Sequence, residues 1–227
     1  MNSALSFGYL FRKEALPFGW AGAKKNIRFF VKVFIIVLLI GLVTNIVYAP
    51  FQNHGVHVGS TIAFLLEFII NSIIAFGMIR IYLAFAMEQT PHVPDLRNHD
   101  YGRFVQWLSA KILVAVFVIL GLILLIIPGI IIGSRLYFYS YFVIDKKMNA
   151  RDAINASREL TRGHVREIIG IGVLSFLITL LGAIALGIGL LRAVPTVELA
   201  RAYLYKKLVH QHDEHHSSHS AHQHVGA

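Results

Sequence analysis

Three charged residues stand where an apolar chain ordinarily carries none. Glu67, Arg135 and Glu198 each fall inside a long apolar stretch, and an ionised side chain in hydrocarbon costs at least about 2.5 kcal/mol on insertion scales. Such groups either pair with one another as an inter-helix staple or mark a substrate or proton pathway, and both readings stand at this point. A second set is the histidine run His210, His212, His215, His216, His219, His222 and His224. Neutral imidazoles ligate zinc, nickel or copper, and this spacing can place two or three on one ion. The competing reading is a solvated tail that gains positive charge below about pH 6.5. Because 210–227 lacks an apolar face, it is expected to be disordered, and any zinc or nickel binding there to be weak. No other cofactor is implied. No second acid, histidine or serine nucleophile stands at the depth of the three charges, so no general acid–base constellation is visible and the chain reads as non-enzymatic.

The elements that must position these residues follow from composition. The chain has 227 residues, 56% hydrophobic and 15% charged, against about 25% charged in ordinary soluble proteins. The stretches Val33–Met87, Ile112–Ile144 and Ile168–Tyr205 contain only Glu67, Arg80, Arg135, Arg192, Glu198 and Arg201 as charged residues. That alternation of apolar runs and charged connectors is expected of a chain solvated largely by lipid, and it argues against a soluble enzyme. The absence of cysteine removes disulfides, thiolate metal sites and cysteine nucleophiles.

A helix rises about 1.5 Å per residue and the hydrocarbon layer is about 30 Å thick, so roughly 20 apolar residues make a span. Four spans follow at about 29–49, 61–87, 104–127 and 129–144. The break before the last is assigned to Pro128-Gly129. A hairpin of two shorter helices at about 168–183 and 190–208, interrupted by Gly182, Gly187 and Gly189, completes an all-α integral membrane bundle of about six helices. Residues 1–28 read as an amphipathic segment ahead of the first span, not as a cleaved signal. Within the bundle, Glu67 and Arg135 both fall about 9 Å below the outer surface, with Glu198 as a competing partner for Arg135.

The basic residues set an orientation. Of 21 Lys and Arg, all but Arg135 and Arg192 fall on one side if the chain starts in the cytoplasm. The positive-inside rule then places both termini in the cytoplasm and the protein in the plasma membrane, with lipid as its principal partner. Spread in this way, the basic residues are membrane anchors, not a nucleic-acid surface, despite a net charge of +9. On that inner side 149–163 reads as an amphipathic helix capped by Asn149, with Ala150, Ala153, Ile154, Ser157 and Leu160 on one face. It serves as an interfacial connector or as a docking surface for a membrane or cytoplasmic protein.

Several strings together resemble a known group. They are Leu16-Pro-Phe-Gly-Trp20 with Lys24-Lys25-Asn26, then Ile127-Pro-Gly-Ile-Ile-Ile-Gly-Ser-Arg135, then Ala153-Ile-Asn-Ala-Ser-Arg-Glu-Leu-Thr-Arg-Gly-His164, and finally Gly187-Ile-Gly-Leu-Leu with Tyr203-Leu-Tyr-Lys-Lys-Leu208. Their order resembles the YciC-like group of prokaryotic membrane proteins and is similar to the membrane domain fused to some glycerophosphodiester phosphodiesterases. The resemblance spans most of 16–208 and implies a six-helix membrane fold. It implies no phosphodiesterase, whose chemistry belongs to a separate soluble domain. The leading expectation is a structural, interaction or accessory membrane component. The alternatives are a small transporter or permease at the level of Glu67 and Arg135, and metal binding or sensing through the histidine tail.

Overall fold

The computed structural model describes residues 6–52, 57–87, 89, 100–184 and 189–224. Among these every regular element is helical. The chain opens with a continuous helical segment in three registers: α1 (Phe7–Leu10), a π-helical turn (Phe11–Ala15) and α2 (Leu16–Lys25). Then come α3 (Ile27–Gln52), α4 (His57–Ala86), α5 (Tyr101–Leu124), α6 (Ile126–Arg135), α7 (Tyr139–Asp145), α8 (Ala150–Leu160), α9 (Val165–Ile184) and α10 (Leu190–His224).

Among the described residues, five stretches are long and apolar enough to cross a membrane: Ile27–Ile46, Phe64–Ala86, Tyr101–Leu124, Ile126–Asp145 and Val165–Ile184. The chain is thus an all-α, multi-pass membrane protein. The sixth span read from sequence, at 190–208, is not among them, because Arg192, Glu198, Arg201, Lys206 and Lys207 lie along it. It is instead the central post of the bundle, packed chiefly against α2 and also against α3, α4 and α9.

Packing is uneven along the bundle. The buried core gathers Phe7, Phe11, Phe30, Tyr82, Trp107, Phe138, Tyr141, Ile168, Leu199 and Tyr205. These come from the opening helical segment, the start of α3, α5 and α9, the end of α4, the α6–α7 break, α7 and the middle of α10, and we call this the closed end. At the other end α3 from Phe34, α4 up to Ile73, α5 from Ile112 and α9 from Val173 leave large apolar side chains exposed. Lipid tails are as apolar as leucine, so these side chains stay exposed there without the penalty that water would impose.

The break between the third and fourth spans lies three residues earlier than the proline suggests. Leu125 adopts extended backbone, φ −167° and ψ 143°, and ends α5. Pro128 then sits in the first turn of α6, where the N–H that proline lacks has no helical partner to lose. Gly129 provides close approach: a Cβ there would lie 2.6 Å from Leu122. The single helix expected over 129–144 is in fact α6 and α7, separated at Leu136–Phe138.

Hydroxyls from α8 hold that second break. Ser157 Oγ donates to the Arg135 carbonyl (3.0 Å) and accepts from Phe138 N–H (3.1 Å), while Thr161 Oγ1 reaches the same carbonyl at 3.1 Å. Both hydroxyls are fully buried, and they satisfy backbone groups that a helix end leaves orphaned. Asn149 caps α8 by accepting from Asp152 N–H at 2.9 Å. Asn149→Ala is expected to cost about 1 kcal/mol in denaturant unfolding of the purified protein.

The backbone of α10 continues through His224, whereas sequence alone gives a disordered tail from 210. Extending a helix already anchored in a core costs far less than starting one. Crossing ion pairs secure the stem: Lys206 to Asp145 at 2.9 Å, Lys146 to Asp213 at 3.0 Å, and Lys207 to Glu14. The hydrogen bond to Glu14 also holds the Lys207 ammonium above the ordinary lysine range.

Candidate functional site

The most unusual chemistry in the bundle surrounds Glu198 and Arg201, one helical turn apart on α10. Arg201 Nη1 donates to Glu198 Oε1 at 2.7 Å, and each side chain keeps about a quarter of its surface accessible, 27% in both cases. The guanidinium lies over the Tyr137 ring, 5.3 Å from its centroid. Tyr137 comes from the break between α6 and α7, and Tyr141 one turn later on α7. The Tyr82 and Tyr141 phenols fall within electrostatic reach of Glu198. Tyr141 stacks on Tyr205 at 5.2 Å, which closes the site from the closed end.

Polar atoms around the pair are incompletely satisfied. The Tyr137 hydroxyl faces Ser175 of α9 and Arg201, yet Tyr137 Oη, Ser175 Oγ and Arg201 Nε complete no hydrogen bond of ordinary geometry. Such atoms inside a packed bundle are costly. The site therefore combines one carboxylate, one guanidinium, three phenols and a buried hydroxyl, contributed by α4, α7, α9, α10 and the break at Leu136–Phe138. This set can hold a dipolar or hydrogen-bonding group.

The other two charges read from sequence are elsewhere. The Glu67 side chain is exposed on the open half of α4, and Arg135 is exposed at the end of α6. Among the described residues neither forms an ion pair with the other, and Glu198 pairs with Arg201, not Arg135. It is the backbone of Arg135 that matters to the fold, through the carbonyl held by Ser157 and Thr161. The seven tail histidines lie on the last part of α10. Among the described residues no group of three metal-ligating side chains forms, and the side chains of His215, His216, His219, His222 and His224 lie outside those described.

A half-buried cation escapes a reading based on apolar runs. Lys111 sits more than two turns into α5, where its ammonium donates to the fully buried Ser72 hydroxyl of α4 at 3.1 Å. It also lies 5.1 Å from the ring centroids of both Phe68 and Trp107. Cation–π contact compensates part of the lost hydration. The available signal was its position four residues after Trp107, which stacks the two side chains on one helix face.

Comparison with known proteins adds relatives but no activity. Two uncharacterised proteins, one from Mycobacterium bovis and one from Mycobacterium tuberculosis, are each 31% identical to this chain over 105 residues. That region is 44% of this chain and 31% of each relative, so the matched part covers about a third of the length of the curated relatives. No known family model and no solved structure matches the chain.

Proposed function

We propose that the protein is a non-enzymatic interaction component of the plasma membrane, with its closed end and both termini in the cytoplasm and α8 as its docking face. One observation carries the reading. The apolar side of α8 is spent inside the bundle, on Ala153, Ile154, Ser157 and Leu160, while Arg151, Arg158, Glu159 and Arg162 remain exposed along the opposite side. A charged rib on a helix fixed by three hydrogen bonds made by buried hydroxyls is a preorganised surface for an acidic partner protein. The distribution of Lys and Arg supports the orientation. The motifs behind the YciC-like resemblance support a structural role, because their residues brace the bundle: Arg135 is held by Ser157 and Thr161, Gly19 lies against Thr196 and Ala200 of α10, and Lys206 pairs with Asp145. We extend that group's membrane fold to this chain on those grounds.

The alternative, a permease working through the buried ion pair, is separated from this reading by one experiment. The protein is purified from native membranes in mild detergent as wild type, as Arg151→Glu/Arg158→Glu/Arg162→Glu, and as Glu198→Leu/Arg201→Leu. The docking reading expects a defined copurifying protein to be lost at least tenfold from the charge-reversed variant and retained by the double leucine variant. Equal recovery in all three overturns it.

A further inference from the structure

We propose that the groove between α1, the π-helical turn and the first half of α9 binds one anionic phospholipid. The phosphate lies between Arg12 and Arg166, and an acyl chain runs along Val173, Leu174 and Leu177. The groove has a volume of about 530 Å³ and is lined by these residues together with Ser6, Gly8, Glu167, Gly170 and Ile171. Its two cations stand at one end, and its aliphatic floor extends from them toward the open half of the bundle. This gradient matches a lipid, with a charged head at one end and hydrocarbon at the other.

The length also fits. Arg166 to Leu177 spans about 16 Å of helix at 1.5 Å per residue, close to half of a hydrocarbon layer about 30 Å thick. The groove thus follows one leaflet from headgroup to midplane. Val173 and Leu177 are 53% and 47% exposed along it. They lie on the same α9 surface as Phe176 and Leu180, which continue the lipid-facing side of that helix.

Charge complementarity selects an anionic head. Arg166 is exposed and forms no ion pair among the described residues. Arg12 spends only its Nε, on the Gly8 carbonyl at 3.2 Å, which leaves its outer nitrogens for a phosphate. The carboxylate at the rim is already engaged. Glu167 Oε2 accepts from Ser6 Oγ at 2.6 Å and Gly8 N–H at 2.8 Å, and its Oε1 faces His164 Nδ1 at 3.0 Å. Glu167 fastens α1 to α9 and shapes the rim, and Phe7 stacked on His164 at 4.2 Å reinforces the same joint. The inference rests on the bilayer placement of the apolar helices and is independent of any docking role for α8.

The test uses full-length protein in detergent, titrated with phosphatidylglycerol or phosphatidylcholine and read by native mass spectrometry. Wild type is expected to retain one phosphatidylglycerol in preference to phosphatidylcholine. Arg12→Gln/Arg166→Gln is expected to weaken it about thirtyfold, or about 2 kcal/mol at 1.4 kcal/mol per tenfold, since each basic residue at a membrane surface contributes about 1 kcal/mol. Gly170→Leu supplies a second arm. A Cβ at Gly170 meets no atom within 4 Å, so a leucine side chain starts into open space on the groove wall and leaves both arginines in place. It too is expected to block the lipid, while Lys24→Gln/Lys25→Gln is expected to leave binding unchanged. Undiminished binding in either groove variant overturns the proposal, as does equal retention of both lipids. Inorganic phosphate binding as tightly as phosphatidylglycerol, and insensitive to Gly170→Leu, overturns it in favour of a free-anion site.

Discussion

Arg201→Leu alone is expected to destabilise the protein by about 3 kcal/mol, and Glu198→Leu/Arg201→Leu to recover most of that loss. Removing one partner of a buried pair leaves an uncompensated charge, at a typical cost of about 3–5 kcal/mol. The lower end applies because about a quarter of each side chain stays accessible. Replacing both removes the charge together with its desolvation penalty, so apolar packing substitutes at little net cost. Glu198→Leu alone is expected to be milder than Arg201→Leu, because the Tyr137 ring still faces the guanidinium at 5.3 Å. Denaturant unfolding in detergent, scored as a double-mutant cycle, measures the coupling. Additive losses from the two substitutions would sink the brace interpretation. They would leave Glu198 and Arg201 as separately required groups, as a binding site demands.

The sequence made some parts of this architecture legible and not others, for physical reasons. Apolar runs long enough to cross a bilayer identify helices because lipid exposes every face, so α3, α4, α5 and α9 are visible from length and hydropathy alone. Asn149 and the spacing of Ala153, Ile154, Ser157 and Leu160 identify α8, since capping and amphipathicity are local. The same freedom hides where an apolar run is interrupted. Leu125 breaks the chain through extended backbone, and nothing in its side chain announces this. The break at Leu136–Phe138 depends on hydroxyls 22 and 26 residues away from Arg135, a tertiary contact with no local signature.

The charged residues show the same division. Glu198 was recognisable as buried because its surroundings in sequence are apolar. Sequence offers it only as a competing partner for Arg135 on another helix, whereas Arg201 at i+3 is the nearer and commoner arrangement. The depth argument placed Glu67 and Arg135 in the interior, but both are exposed. Depth along the bundle can be counted from helix rise, whereas the face a residue presents depends on which neighbours the helix packs against. Around Glu67 the adjoining Phe64, Leu65 and Leu66 of α4 are exposed as well, so a residue far from either end faces outward.

Gly19→Leu is expected to separate α2 from α10 and to cost at least about 3 kcal/mol, the upper range for overpacking. A Cβ at Gly19 would lie 2.2 Å from the Thr196 carbonyl oxygen and 3.0 Å from the Ala200 nitrogen. Both obstacles are backbone of the central helix, so no rotamer change relieves them. Any larger residue must push α2 outward, and the contacts along that seam then fail together: Phe18 stacked on Tyr203 at 4.6 Å, Arg192 over Trp20 at 4.2 Å, and the Lys207–Glu14 pair. Gly41→Leu is the matched control. That glycine lies on the open half of α3, where a Cβ meets no atom within 4 Å, and surface changes of this kind stay within about 0.5 kcal/mol. Limited proteolysis distinguishes the two: Lys24 and Lys25 are already exposed but held in the last turn of α2, so a displaced α2 that frays lets trypsin cut there, while the Gly41 variant cleaves like wild type. If both variants unfold alike, the tight α2–α10 seam is not what holds the closed end, and the burden shifts to the hydroxyl contacts at the α6–α7 break. If Gly19→Leu alone fails, the Leu16-Pro-Phe-Gly-Trp20 string is explained by helix packing without a ligand.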